Sequence, residues 1–241
     1  MRVTHVCRAF SRLSETFIYQ LINGLESRGI HNSVLTSRRL HADARPFVRV
    51  QTLPEPTVQR LLFAFRKQVL QRYDYRLPQA GLESALETLR PDAIVAHFGG
   101  SGLAVHRVAT RLQIPLLVTF HAFDMFRSCF PSGIYRDMWP AVSAAVAISD
   151  FGRRHLVEVH GAPPERLHVV HCGVDTSRFS FAERNGGRGG PIRMLTLGRL
   201  VEKKGTIDLV KAVAAVRHLG HDVRLTICGT GPQRSRIEQA V

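Results

Sequence analysis

Short apolar runs alternate with amphipathic helical stretches along most of this chain, and that alternation constrains the fold more than any other feature. Arg2 to Cys7, Asn32 to Thr36, Ala93 to Phe98, Pro115 to Phe120, Ser143 to Ile148 and Leu167 to Val170 read as strands, with a further one within Phe47 to Thr52. Several are apolar almost continuously, the pattern of parallel strands covered on both faces. Between them lie helical stretches. Phe17, Ile18, Leu21, Ile22 and Leu25 share one face, and Leu82 to Arg90, Ser101 to Leu112 and Asp150 to Val159 follow the same rhythm. Strand, turn, helix and strand in repetition predict an α/β chain with a doubly wound sheet. The first turn, Arg8 to Ser14, has no glycine, so the dinucleotide fingerprint is missing and a nicotinamide cofactor is set aside.

Asn185 to Gly190, with four glycines in six residues, reads as a flexible linker. The pattern then restarts. Met194-Leu195-Thr196-Leu197 is a buried-strand run that breaks at Gly198, offers Arg199, Lys203 and Lys204, and reaches a helix from Thr206 to His218 at Gly205. Strand ends are where open α/β sheets bind ligands, and a helix start adds free N–H groups and a positive dipole end. A phosphate or diphosphate suits Arg199 and Lys204; a solvated basic loop is the plainer reading. One more strand, Val223 to Ile227, ends in the Gly229-Thr230-Gly231 turn, and these two loops are expected to line one crevice. The predicted organisation is an amino-terminal domain over 1–175, a linker over 176–190 and the start of a second domain over 191–241. Two strands bury too little to stand alone, so the second unit either leans on the first domain or is incomplete in this chain, and the second reading is the expected one.

In the first domain, His121 stands at a strand end in FHAFD, placed to bond a phosphate or a sugar hydroxyl, take a proton, or satisfy local backbone. His97 occupies the same kind of position in HFGG. Asp124 is placed to orient His121, bind a hydroxyl or cap the next helix. Ser14, Glu15 and Thr16 mark the first helix start, with Ser14 as the expected N-cap, and suit a hydroxyl-bearing substrate.

The charge balance, 33 Lys+Arg against 19 Asp+Glu for a net +14, implies acidic partners. No nucleic-acid motif or aromatic-interleaved basic stripe is present, so nucleic acid is not the expected partner. Val58 to Arg72 reads as a basic amphipathic helix, packed on the domain or lying on an anionic membrane. The four cysteines, Cys7, Cys129, Cys172 and Cys228, have neither disulfide-framework nor zinc spacing, and a reducing cytosol fits them. No signal-peptide pattern and no membrane-spanning run is seen.

Together, GRLVEKKG, CGTGP, the segment HCGVDTSRF, the strand end TFHAFD and the opening SRLSETFIYQLINGLESRG resemble glycosyltransferase family 4, retaining enzymes of the GT-B fold, in particular its exopolysaccharide and colanic-acid-type subset. The motifs cover nearly the whole chain in order. The resemblance implies a nucleotide-diphosphate-sugar donor held between two Rossmann-like domains. It implies that Arg199 and Lys204 bind the donor diphosphate and that Gly198, Gly229, Thr230 and Gly231 form the donor loops. His121 would stand near the reacting sugar. The acceptor, a glycan or lipid-linked glycan, would meet Ser14, Glu15 and Thr16, with His97 and Asp124 on the same side. No metal or other cofactor is required. The implied location is cytoplasmic, peripheral at the inner face of the plasma membrane. Ala122 replaces the glycine common in that strand end, and His171-Cys172 stands where an asparagine is usual. The family's E-x7-E acids would lie beyond Val241. A truncated, non-catalytic glycan- or lipid-binding relative is therefore the alternative reading.

Overall fold

The computed structural model describes residues 1–53, 57–58, 81–126, 131–177, 179, 181 and 190–240. It forms two compact units, Met1–Asp175 and Thr176–Val241.

The first unit is built on seven strands: β1 (Arg2–Phe10), β2 (His31–Arg39), β3 (Val50–Thr52), β4 (Ala93–His97), β5 (Leu116–Phe120), β6 (Val142–Ala147) and β7 (Leu167–Val169). Their order is β3-β2-β1-β4-β5-β6-β7 and every pairing is parallel. The helices are α1 (Thr16–Glu26), α2 (Leu82–Leu89), α3 (Gly99–Arg111), α4 (Ala122–Phe126) and α5 (Asp150–His160). Chain order runs outward in one direction from β1 and in the other from β4. The loops after these two strands therefore part, which opens the crevice where such sheets take ligands. The central strands are buried: Val6, Ile94, Leu116, Val118 and Phe120 are all at 0% exposure. Burying one such side chain is worth about 1.5–3 kcal/mol, so this layer carries the stability of the unit.

Several boundaries differ from the sequence reading, and the following bear on the site. β1 continues through Arg8 to Phe10, where a turn was expected. Ala9 and Phe10 are buried and pair with Arg38 and Arg39 of an equally extended β2, and the Arg39 guanidinium lies 4.6 Å from the Phe10 ring centroid. α3 starts at Gly99, two residues early, because its glycines allow close packing: a Cβ on Gly99 would strike the Tyr135 ring, and one on Gly102 would strike Met138 Sδ. Ser14 does not cap α1. Glu15 takes the cap position and no side chain there bonds the helix N–H groups. The expected basic helix over 58–72 lies outside the described residues except Val58, and the glycine-rich linker does so except Gly190.

The second unit holds β8 (Ile192–Leu197), α6 (Thr206–His218), β9 (Val223–Cys228) and α7 (Arg234–Glu238). β8 and β9 pair in parallel from Ile192–Val223 to Leu197–Cys228. Leu200, Val210 and Ile237 are buried together, with Ile207, Leu225 and Ile227 packed against them.

Candidate functional site

Candidate residues lie on both units. In the first, β4 and β5 are neighbours, and Asp124 ties their carboxyl ends together. Its Oδ1 accepts the His121 N–H at 2.8 Å and its Oδ2 accepts the Gly99 N–H at 2.6 Å. Gly99 is the first residue of α3, so this carboxyl caps α3 rather than the helix that follows it in sequence. The Tyr135 hydroxyl donates to the Asp124 carbonyl at 2.8 Å. Asp124 is 1% exposed. Burial pushes its pKa up to about 7, against the opposing pull of the Gly99 and His121 N–H groups. Of the three roles open to Asp124 in the sequence, its hydrogen bonds are of the capping kind, since they go to the backbone N–H groups of Gly99 and His121 and not to the His121 ring.

The His121 ring packs against two aromatic rings on adjoining sides, with Phe17 of α1 at 4.1 Å and Phe98 at 4.9 Å between centroids. Burial lowers its pKa to about 4, so the imidazole is neutral at neutral pH. Its Nε2 is buried with no hydrogen-bond partner among the described residues. A neutral imidazole with a spare nitrogen can donate to or accept from a sugar hydroxyl or phosphate oxygen, but it brings no positive charge. Phe17 is the second residue of α1 and directly follows the Ser14, Glu15 and Thr16 segment. Ser14 and Thr16 are exposed. Glu15 is partly buried, which raises its pKa, with Arg12 working against that shift.

His97 is placed differently from expectation. It is 1% exposed and both ring nitrogens face protein: Nε2 is 3.0 Å from His5 Nδ1 and Nδ1 is 3.3 Å from Thr119 Oγ1. The expected contact between His97 and a sugar is not open in this arrangement. His5 in turn reaches Asn32 Oδ1 from Nε2 at 2.9 Å. The Asn32 Nδ2 donates to Glu26 Oε1 and to the Ile30 carbonyl, so Oδ1 must be the atom facing His5. Proton positions then follow along the row. His5 donates from Nε2 and accepts at Nδ1 from His97 Nε2–H, and His97 Nδ1 accepts from the Thr119 hydroxyl. Burial lowers the pKa of His5 to about 4 and that of His97 well below its usual value, and neighbouring imidazoles depress His97 further. This buried polar row across β2, β1, β4 and β5 escaped the sequence reading. Its signal was His5 and Asn32, polar residues set inside otherwise apolar strands.

In the second unit the loops after β8 and β9 are joined by backbone. Gly198 N–H donates to the Cys228 carbonyl at 3.0 Å, Leu200 N–H to the Thr230 carbonyl at 2.9 Å and Gln233 N–H to the Leu200 carbonyl at 3.1 Å. A Cβ on Gly229 would overlap the Gly198 carbonyl and one on Gly231 would run into the Leu200 backbone, so glycine is what lets the loops meet. Gly198, Gly229, Thr230 and Gly231 are thus brought together. Arg199 and Lys204 are exposed, with no ion-pair partner among the described residues. Lys204 closes a 3-10 turn, Gly205 at φ +63° redirects the chain, and α6 opens without a side-chain cap. Exposed cations after β8 and two residues before an uncapped helix start are chemically fit for an anion, although Asp208 lies in the first turn of that helix. Among the described residues no three His, Cys, Asp or Glu side chains are grouped to hold a metal. No helix among them is long and apolar enough to cross a membrane.

The chain matches the model of Glycosyltransferase Family 4 over residues 14–178 and that of Glycosyl transferases group 1 over 177–241. It is 26% identical to the amylovoran biosynthesis glycosyltransferase AmsK of Erwinia amylovora over 156 residues, 62% of this chain and 38% of AmsK. It is 28% identical to a glycogen synthase of Mycobacterium tuberculosis over 186 residues, 70% of this chain and 42% of that protein. The chain thus spans about two fifths of the length of these relatives. Among solved structures, Anabaena HepE in complex with UDP-glucose superimposes with a TM-score of 0.69 at 14% identity, covering 100% of this chain and 65% of HepE. The apo lipopolysaccharide outer core galactosyltransferase WaaB gives 0.65 at 14% identity, over 100% of this chain and 64% of WaaB. These likenesses bear out the α/β, GT-B-type fold. With its matched segment covering more than half of its residues, the chain belongs to glycosyltransferase family 4.

Proposed function

We propose that this chain is part of a retaining glycosyltransferase that moves a sugar from a nucleoside-diphosphate donor to a glycan or lipid-linked glycan. The observation that carries the reading is the exposed pair Arg199 and Lys204 beside the uncapped start of α6, in the segment that matches Glycosyl transferases group 1. Departure of a nucleoside diphosphate builds negative charge on its phosphates, and fixed cations with a helix start stabilise that charge as it forms. His121 serves the sugar as a neutral hydrogen-bonding group. The α1 start with Ser14, Glu15 and Thr16 faces the acceptor, and the Gly229 turn meets the donor. HepE, with its UDP-glucose, supports a nucleotide sugar as donor. AmsK, an amylovoran biosynthesis glycosyltransferase, supports an exopolysaccharide acceptor.

Calorimetric titration with UDP, GDP and ADP tests the donor half. At least one should bind, and Arg199→Ala and Lys204→Ala should each weaken it about tenfold or more, the scale of a lost charge-assisted bond. Three nucleotides without affinity would sink the reading. Turnover separates an enzyme from a relative that only binds. The net charge of +14 supports, as part of the same proposal, association with an anionic membrane face in the cytoplasm. Pelleting with anionic vesicles should exceed pelleting with neutral ones; equal sedimentation removes that part.

A further inference from the structure

Phe98 has the backbone of a glycine. Its φ of +70° and ψ of 147° fall in a region that side chains rarely enter, so the backbone is strained there. The neighbours leave it no alternative. Phe98 N–H donates to the Thr119 carbonyl at 2.8 Å. The Phe98 carbonyl accepts from Ser101 N–H at 3.0 Å and Gly102 N–H at 3.2 Å. The next N–H, that of Gly99, is held by Asp124 at 2.6 Å, and Gly99 itself is pressed against the Tyr135 ring. Every peptide group around Phe98 is thus fixed from β5, α3 and α4. The residue is followed by two glycines, and a third there would relieve the strain. A phenylalanine stands instead.

Its ring lands against His121 at 4.9 Å and edge-on to Phe17 at 6.2 Å, while Phe17 lies 4.1 Å from His121. Two rings, from α1 and the β4–α3 turn, therefore meet the imidazole at the end of β5. We propose that Phe98 is a positioning residue, its strained backbone aiming the ring so that Phe98 and Phe17 pack on two adjoining sides of the His121 imidazole and clamp its orientation. This rests on the reading of His121 as a site residue. The clamp also shields the imidazole from water, in agreement with its depressed pKa, and leaves Nε2 without a protein partner. That nitrogen is buried, and the packing of the two phenylalanines decides where it points. The charged or titratable groups nearby are Asp124, which binds the His121 N–H, and His97, whose imidazole is neutral.

The test is an NMR titration of the His121 imidazole in this chain, in the unsubstituted protein, Phe98→Gly and Phe98→Tyr, with thermal melting of each. Phe98→Gly should move the His121 midpoint up toward the ordinary value near 6.5, without lowering Tm, since the backbone strain goes with the ring. Phe98→Tyr, which keeps a ring in place, should hold the midpoint of the unsubstituted chain. An unmoved midpoint in Phe98→Gly, a fall in its Tm, or the same upward move in Phe98→Tyr would overturn the proposal. A merely structural Phe98 lowers Tm and leaves the midpoint in place. The catalytic reading fails separately: a His121→Ala enzyme of full length that keeps its turnover would remove the role of His121 while leaving the clamp intact.

Discussion

The two units use one local grammar with opposite results in packing. β4 of the first unit has Ile94, Ala96 and His97 buried to 1% exposure or less. β8 of the second has a similar apolar run, yet Ile192 is 59%, Leu195 69% and Leu197 81% exposed. Strand composition alone does not bury a strand. A parallel strand needs a neighbour on each edge and a helical layer on each face. β4 has β1 and β5 beside it and α3 packed over it, whereas β8 has β9 as its one strand neighbour among the described residues. The same contrast separates the site residues. Asp124 and His97 are locked by buried hydrogen bonds before any ligand arrives. Arg199 and Lys204 stand in water, and an anion would be the first partner to order them.

The strongest way to break this comparison is to remove one apolar side chain from each unit. Ile94→Ala should cost about 2–5 kcal/mol in urea unfolding, the range for a buried aliphatic side chain. Leu197→Ala should cost less than about 0.5 kcal/mol, as exposed positions do. Equal losses would mean that β8 is covered after all. A second substitution sharpens the contrast from the other side. Gly229→Ala should cost about 1–3 kcal/mol, the usual scale for forcing an added carbon into closed space. Hydrogen exchange should show protection lost at Gly198 and Leu200 and kept at Phe98 and Gly99. Loss at all four sites would contradict two separately organised loop sets.

A pH series makes a smaller and more specific demand. His5 and His121 are depressed to about 4 from 6.5, so between these values the unfolded chain binds more protons than the folded one. Their stabilising contribution is present above pH 6.5 and is lost as pH falls toward 4. Asp124 acts in the opposite sense. Raised to about 7 from 3.8, it favours the folded state below 3.8, and that contribution disappears as pH rises through 7. Urea midpoints should therefore fall between pH 6.5 and 4.5, and Asp124→Asn should make the fall steeper. A shallower fall in Asp124→Asn would refute the assignment. The same variant, with one acceptor oxygen for two backbone N–H groups, should lose about 1–3 kcal/mol at pH 7 less whatever relief the uncharged group brings.

The fold was legible because the alternation of apolar strands and amphipathic helices is a long-range pattern, repeated too often to be local accident. The ends of elements were less so. Arg8 reads as the start of a turn, but β1 continues because Phe10 finds a buried place beside Tyr19, Phe47 and the Arg39 guanidinium, and those neighbours come from elsewhere in the chain. The glycines of the loops after β8 and β9 were readable as loop-formers, and their packing on each other follows from the parallel pairing of the two strands. His97 and His121 looked alike as strand-end histidines. What separates them is the neighbour each finds: His5 and Thr119 for one, Phe17 and Phe98 for the other. Such partners lie up to 104 positions away in sequence, from Phe17 to His121, and no local spacing announces them.

The backbone ladder between β8 and β9 does not stop where the strands do. It continues through Gly198 to Cys228 and Leu200 to Thr230, and Gln233 closes it on Leu200. The two loops are therefore one mechanical part. A force applied at Arg199 reaches Thr230 through peptide bonds and two hydrogen bonds, with no side chain in between. The part is also intolerant of length: a residue inserted in either loop shifts the register of both, so the spacing from Gly198 to Gly229 is as much a component of the site as the cations it carries.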